Sequence, residues 1–292
     1  MKLQIVLLMC AAAGVAFRAM AIGPAPAEIA VKDGDAIAFL GDSITAQGVS
    51  KPTGYVNLVM KGLEVAGVKG VKLIPAGAGG NKSNDMLARV DKDCLKKRPR
   101  FMTVSCGVND VWHGLVNSSR GVSLEAFRKN MAQIFDMAAS AGVEVVVLTP
   151  TLIIHEDETT PANQKLKGYA DWLAGEANRR HLRLADLNGD MRQLVKRLHE
   201  EAAASGKPTR RLTYDGVHMA FPGNCMMAWG VLRAFGVPES MRARIEAAWR
   251  TMPGAYEVSV KLSAEDYERL LQKAGGEGPA AYLLRCGKIP EE

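Results

Sequence analysis

Three side chains in this sequence have the types and the spacing that nucleophilic catalysis requires. Ser43 directly follows Gly41-Asp42 at the end of a short apolar run, and a carboxylate and an imidazole stand three residues apart at Asp215 and His218. A serine hydroxyl is a weak nucleophile until a histidine takes its proton, and the histidine needs a carboxylate to hold its tautomer. We therefore expect Ser43, His218 and Asp215 to form a catalytic triad for acyl transfer.

Acyl transfer by serine also needs hydrogen-bond donors placed where the oxyanion develops. A glycine-rich segment that contains Gly80 follows the second strand-like run, and Asn109 follows the third. Glycine lets a backbone N–H approach a ligand closely, and the asparagine amide supplies a second kind of donor. We predict an oxyanion hole built from the backbone N–H groups of Ser43 and Gly80 and the side chain of Asn109.

The elements that must position these groups alternate along the chain. Strand-like apolar runs lie at about 36–40, 71–75, 101–106, 143–148 and 182–187, and helix-length segments lie at about 54–66, 83–95, 123–141, 161–180 and 190–204. Predicted N-cap residues are Ser83, Ser123 and Thr160, the last followed by a proline. This alternation predicts an α/β fold with a mostly parallel sheet covered on both faces. Ligands of such sheets bind beyond the carboxyl ends of the strands, where the predicted catalytic groups lie.

The sequence resembles the SGNH (GDSL-type) hydrolase superfamily through four blocks that occur in the expected order over about residues 35–238. The blocks are Gly41-Asp42-Ser43-Ile44-Thr45, Gly80-Asn81 ahead of Leu87-Ala88-Arg89, Gly107-Val108-Asn109-Asp110 and Asp215-Gly216-Val217-His218. Two departures from the superfamily pattern leave the subfamily undefined. Pro75 stands where many members carry an asparagine, and Met219-Ala220-Phe221 separate the histidine from the proline that often follows it at once.

The resemblance implies a flavodoxin-like three-layer α/β/α sandwich with a five-stranded parallel sheet. It also implies ester hydrolysis without a cofactor or metal, on substrates that range from acetylated sugars and short-chain esters to lysophospholipids and thioesters. We expect Asp110 to be structural and Cys106 to be a small buried residue. Trp112 and His113 are candidates for the pocket wall, whereas the acidic segment 155–158 is expected to be a solvated loop tip.

Composition excludes several classes of protein and partner. Hydrophobic residues make up 48% and charged residues 23% of the 292 positions, which is typical of a globular protein and not of a disordered one. The formal net charge of +6 is modest, the basic run Lys96-Lys97-Arg98-Pro99-Arg100 is expected to be a solvated turn, and basic charge is not concentrated in the C-terminal segment, so no nucleic-acid partner is expected. No cysteine–histidine spacing indicates a metal site. The pairing of Cys94, Cys106, Cys225 and Cys286 is left open.

The first 21 residues have the pattern of a signal peptide. An apolar run from Ile5 to Phe17 is too short to span a bilayer, and Ala19-Met20-Ala21 offers a cleavage site. We expect export to the periplasm or the medium, with no stable membrane span after cleavage near Ala21. Residues 22–34 are predicted to be a leader and 35–250 the hydrolase domain.

Residues 251–292 are predicted to form a C-terminal appendage. A short strand near 258–262, a helix near 263–271 and a second helix near 280–285 loosely resemble a ribbon-helix-helix DNA-binding half-module. Packing against the hydrolase domain, or dimerisation, is the interpretation we favour. The oligomeric state is left open.

Together these patterns predict an exported serine esterase that removes acetyl or similar short acyl groups from a carbohydrate. The first alternative is a lipase, lysophospholipase or thioesterase of the same superfamily. The second is a non-catalytic module that binds a glycan or a protein on the same scaffold.

Overall fold

A computed structural model describes residues 28–154, 156–254, 263–277 and 282. Five parallel strands form one sheet in the order β2-β1-β3-β4-β5. They are β1 (Ala36–Gly41), β2 (Lys72–Gly77), β3 (Phe101–Ser105), β4 (Glu144–Leu148) and β5 (Arg183–Ala185). The predicted five-stranded parallel sheet is therefore confirmed. Its first, third and fourth strands are almost fully buried, which explains their continuous apolar sequences.

Helices cover the sheet in two groups that pack among themselves. The helices of the described residues are α1 (Ser43–Ser50), α2 (Tyr55–Val65), α3 (Ser83–Asp93), α4 (Val108–Val116), α5 (Leu124–Ser140), α6 (Pro161–Arg179), α7 (Leu187–Ser205), α8 (Phe221–Ala234), α9 (Arg242–Arg250) and α10 (Ala264–Ala274). One group contains α2, α7, α8 and α9, and the other contains α3, α4, α5 and α6. All five predicted helices are present, within three residues at either end.

The helix starts show which predicted caps were correct. Ser123 accepts a hydrogen bond from the Ala126 N–H, and Thr160 accepts one from the Asn163 N–H, as predicted. Ser83 is not a cap, because Lys82 occupies the cap position and Ser83 is the first residue of α3. Helix α10 covers the predicted helix at 263–271. The predicted signal peptide, the strand at 258–262 and the helix at 280–285 lie outside the described residues, apart from residue 282.

Two glycines let α1 lie directly against the ends of β1 and β2. Gly41 and Gly77 are paired across the two strands. A Cβ atom on Gly77 would lie 2.3 Å from the backbone N of Ala46, and one on Gly41 would lie 2.0 Å from the Thr45 Oγ1. Real side chains do not tolerate such distances, so both positions must lack one. The close contact of α1 with the ends of β1 and β2 therefore fixes the position of this helix on the sheet.

The segment ahead of β1 belongs to the same core. Val31 is 1% exposed, and the Ala30 N–H donates to the carbonyl oxygen of Phe235 across 2.8 Å. Within the ranges that the structure describes, no helix is both long and apolar enough to cross a membrane.

We expect Gly77→Ala to destabilise the protein and to reduce esterase activity, because its methyl group would push α1 and Ser43 away from the sheet. Overpacking of this kind costs about 1–3 kcal/mol. Thermal unfolding and hydrolysis of a chromogenic acetate ester measure the two effects. Gly79→Ala is the matched control, because a Cβ there meets nothing within 4 Å. Equal stability of the two variants would contradict this account of the packing.

Candidate active site

The three predicted triad residues form one chain of hydrogen bonds. The Nε2 atom of His218 lies 2.9 Å from the Ser43 Oγ, and its Nδ1 atom lies 2.6 Å from the Asp215 Oδ2. Ser43 is the first residue of α1, directly beyond the carboxyl end of β1. A hydroxyl, an imidazole and a carboxylate in this order can pass the serine proton to the histidine while the carboxylate orients the ring.

The segment that carries Asp215 and His218 is a tight loop without a helix or strand. Its ends pair through a bridge between Thr213 and Met219. Inside the loop, Asp215 Oδ1 accepts hydrogen bonds from the backbone N–H groups of Val217 (3.0 Å) and His218 (2.7 Å). Partial burial acts to raise the pKa of Asp215, but the hydrogen bonds from His218 and Val217 outweigh it and lower that pKa. The carboxylate therefore stays ionised beside the imidazole.

Tyr214 connects this loop to α1, the helix that begins at Ser43, and the sequence patterns do not reveal this connection. Its ring stacks on the His218 imidazole, with centroids 5.9 Å apart and planes 18° apart. Its hydroxyl donates to Gln47 Oε1 across 2.8 Å, one turn beyond Ser43 in α1. The Lys51 ammonium lies 4.3 Å from the ring centroid. The side chain is nevertheless 51% exposed, so it forms part of the rim around Ser43.

The predicted oxyanion donors follow the carboxyl ends of β1, β2 and β3: Ser43 begins α1, Gly80 lies in a turn, and Asn109 lies in the first turn of α4. Gly80 has φ +74°, a backbone conformation that favours glycine. In the part of the chain that the structure describes, the N–H groups of Ser43 and Gly80 have no acceptor. The Asn109 side chain donates one hydrogen to the Asn81 carbonyl oxygen across 3.0 Å, and an amide has a second hydrogen to donate. His113 lies beside Gly80, with Cε1 3.9 Å from where a Cβ would stand.

Arg89 ties the two turns together. Its Nη2 donates to the carbonyl oxygen of Gly41 at 2.9 Å, and its Nε donates to Asn81 Oδ1 at 2.6 Å. An ion pair with Asp93 holds the guanidinium on α3. The planar Arg89 guanidinium therefore fixes the end of β1, before Ser43, relative to the turn that contains Gly80.

Asp110 is a structural residue, as expected. It is 1% exposed and accepts hydrogen bonds from the backbone N–H and the hydroxyl of Ser83, at 3.0 and 2.6 Å. Cys106 is 1% exposed, and its thiol lies 3.6 Å from Asp110. Burial and the neighbouring carboxylates Asp110 and Asp42 raise the pKa of the Cys106 thiol. It is therefore a poor nucleophile.

A model of the GDSL-like lipase/acylhydrolase family matches residues 39–224, which is well over half of the chain. The chain belongs to this family. It is accordingly a carboxylic ester hydrolase, and the resemblance drawn from the four sequence blocks is confirmed.

Similar proteins include acetylxylan esterases. An acetylxylan esterase of Geobacillus stearothermophilus is 24% identical over 228 residues, which are 73% of this chain and 99% of that protein. The crystal structure of that enzyme superposes with a TM-score of 0.62 at 23% identity, covering 72% of this chain and 97% of that one. A second acetyl xylan esterase structure is 29% identical with a TM-score of 0.60, covering 68% and 98%.

Metal-ligating side chains do not cluster in the described ranges, where no group of three histidine, cysteine, aspartate or glutamate residues could hold an ion. Cys94, Cys106 and Cys225 are free thiols, and Cys286 lies outside those ranges. Burial raises the pKa of Cys94 to about 11 and that of Cys225 to about 12.

The Glu156 side chain holds the start of the loop that carries His218. We expected segment 155–158 to be a solvated acidic tip, which is wrong for Glu156, since that residue is 6% exposed. Its carboxylate accepts hydrogen bonds from the backbone N–H of Leu212 (3.0 Å) and from the N–H (2.6 Å) and hydroxyl of Thr213. Its neighbour Ile154 donates its N–H to the Gly216 carbonyl oxygen at 2.8 Å. His155 lies outside the described residues.

Asp42 caps α1, the helix that begins at Ser43, with a buried carboxylate. It is 2% exposed, and its Oδ1 accepts a hydrogen bond from the Ile44 N–H at 2.9 Å. Burial raises the pKa of Asp42 to about 6, against the lowering effects of the Ile44 N–H and of His218. A carboxyl whose pKa is raised in the folded state favours folding below its unfolded pKa, and this contribution is lost as the pH rises through the folded pKa.

We expect Asp42→Asn to raise the stability of the protein at pH 8 by about 1–3 kcal/mol. Asparagine keeps the oxygen that accepts from Ile44 and removes the buried charge. The gain should disappear between pH 6 and pH 4, where the wild-type carboxyl takes up its proton. Thermal unfolding of both proteins across this range measures the effect, and a difference that does not change with pH would contradict it.

We expect Glu156→Ala to lower both stability, by about 2–4 kcal/mol, and kcat, since buried N–H groups lose charge-assisted hydrogen bonds. Glu156→Gln keeps one acceptor oxygen and should fall between Glu156→Ala and the wild type. The matched control is Glu158→Ala, because the Glu158 side chain is 56% exposed and pairs with the Arg192 side chain rather than with the backbone of the histidine loop. Wild-type kcat in Glu156→Ala would exclude a role in holding the histidine loop.

Proposed function

We propose that this chain is an exported O-acetylesterase that removes acetyl groups from a carbohydrate through an acyl-serine intermediate. The observation that carries the proposal is the hydrogen-bonded chain from Ser43 through His218 to Asp215. The substrate class is supported by the acetylxylan esterases among the similar proteins. Export is supported by the signal-peptide pattern of residues 1–21.

In the acylation step, His218 Nε2 takes the proton of the Ser43 hydroxyl as Oγ attacks the ester carbonyl carbon. The negative charge that forms on the carbonyl oxygen is stabilised by the N–H groups of Ser43 and Gly80 and by the Asn109 amide. Loss of one such donor costs about 3–4 kcal/mol of transition-state stabilisation. Collapse of this intermediate breaks the ester C–O bond, and His218 returns the proton to the departing sugar hydroxyl.

In the deacylation step, water replaces the sugar. His218 takes a proton from the water as its oxygen attacks the acyl carbon, and the same donors stabilise the second oxyanion. The acyl–Ser43 bond then breaks, His218 returns the proton to Oγ, and acetate leaves. Asp215 stays ionised throughout and balances the positive charge on the imidazolium.

The rim of the site fits a hydroxyl-rich leaving group. Tyr214 offers an exposed aromatic surface beside His218, and Lys51 offers a cationic donor next to that ring. An aromatic face with polar neighbours suits a sugar ring, which has apolar C–H faces and polar edges.

We expect Ser43→Ala to lower the rate of p-nitrophenyl acetate hydrolysis by about three or more orders of magnitude without unfolding the protein. Ser50→Ala is the matched control, because Ser50 is an exposed serine at the other end of the same helix. Circular dichroism verifies that both variants are folded. Near wild-type turnover in Ser43→Ala would overturn the assignment of the nucleophile.

The same assay separates the alternatives when the acyl chain is lengthened. Turnover confined to acetyl and other short chains supports deacetylation, whereas a preference for long chains indicates a lipase, lysophospholipase or thioesterase. A fluorophosphonate probe that leaves Ser43 unlabelled would favour a non-catalytic binding module.

A further inference from the structure

A second cleft lies outside the triad, along one side of α8. It has a volume of about 360 Å³ and runs between α7, α8 and α9. Clefts of this volume lie within the range that binds small ligands. Its lining includes Arg210 and Phe221, which lie on either side of Asp215 and His218 in the sequence.

The wall of this cleft is strongly cationic. Five arginines line it against two acidic residues: Arg197, Arg210, Arg233, Arg242 and Arg250 against Asp190 and Glu246. Arg233 pairs with Asp190, and Arg242 pairs with Glu246 and Glu239. The remaining three arginines form no ion pair with any residue that the structure describes. The cleft therefore presents guanidinium groups whose charge is not neutralised there.

The floor of the cleft is apolar and contains an unsatisfied donor. Trp229 lines the cleft and is 4% exposed, and Pro222 and Met226 lie on the same helix. The indole N–H of Trp229 is buried and has no acceptor in the described part of the chain. The Arg242 guanidinium lies 5.4 Å from the centre of the indole ring. Because Trp229 is almost fully covered, the accessible apolar surface of the cleft belongs to its neighbours on the helix, such as Pro222 and Met226.

We propose that this cleft binds an anionic saccharide, a sugar chain that carries carboxylate groups. Arginine forks match carboxylates with two parallel hydrogen bonds, and the partly exposed Pro222 and Met226 side chains offer an apolar surface to the apolar face of a sugar ring. A neutral sugar would form no ion pairs with the arginines. A bare inorganic anion would not cover the apolar surface of the cleft. Binding here needs no ester chemistry, so the proposal is independent of the proposed function.

Isothermal titration calorimetry on the full chain tests the proposal with three probes: a galacturonic acid trimer, the neutral trimer maltotriose, and sodium sulfate. We expect the acidic trimer alone to bind, and to bind more weakly as ionic strength rises. The double variant Arg197→Gln/Arg250→Gln should lower its affinity at least tenfold. Arg244→Gln is the matched control, since Arg244 is an exposed arginine of α9 outside the cleft.

Hydrolysis of p-nitrophenyl acetate by the double variant should equal that of the wild type, which separates this proposal from the esterase assignment. The proposal is overturned by absence of binding, by equal binding of maltotriose, or by sulfate binding as tightly as the acidic trimer. An equal loss of affinity in Arg244→Gln would also overturn it, because it would show attraction to the general surface charge.

Discussion

The contact between Ser43 Oγ and His218 Nε2 is the constraint that the rest of the structure serves, since it joins residues 175 positions apart within 2.9 Å. A displacement of about 1 Å in such a pair costs catalysis heavily, so both partners need rigid supports. Ser43 has one in the sheet, because β1 ends at Gly41, two residues before it, and α1 begins at it. His218 belongs to an irregular loop, so its support comes from hydrogen bonds made by individual side chains.

Buried carboxylates provide most of these supports. Asp42 accepts from the Ile44 N–H, Asp110 from the Ser83 N–H, and Glu156 from the N–H groups of two successive loop residues. A turn exposes backbone N–H groups that no strand or helix satisfies, and a carboxylate can accept several at once. Burying such a charge is costly, as the raised pKa of Asp42 records. Burying these carboxylates has this cost, but they fix the backbone around Ser43 and His218.

The sheet and the contact between Ser43, His218 and Asp215 could be predicted from the sequence because their signals are local. Apolar runs mark β1, β3 and β4, and Gly41-Asp42-Ser43 and Asp215-Gly216-Val217-His218 are contiguous. Glu156 was predicted wrongly because its neighbours in the sequence are polar, while its partners near residue 212 are 56 positions away. Ser83 resembles a cap in sequence, but Asp110 from another turn accepts its hydroxyl hydrogen. A hydrogen bond between residues that are distant in sequence leaves no periodic pattern, so it cannot be predicted from the sequence alone.

Helix α8 lies between the triad loop and the cationic cleft, and its attachment decides whether the two can influence each other. Asn224 donates to the carbonyl oxygen of Met219, the residue after His218, and accepts from the Tyr55 N–H of α2. The start of α8 is thus fixed to both the loop and the neighbouring helix α2. Because a helix held in this way has one packed arrangement, a ligand in the cleft gains little by displacing it. A ligand bound in the cleft therefore leaves the geometry of Ser43 and His218 unchanged.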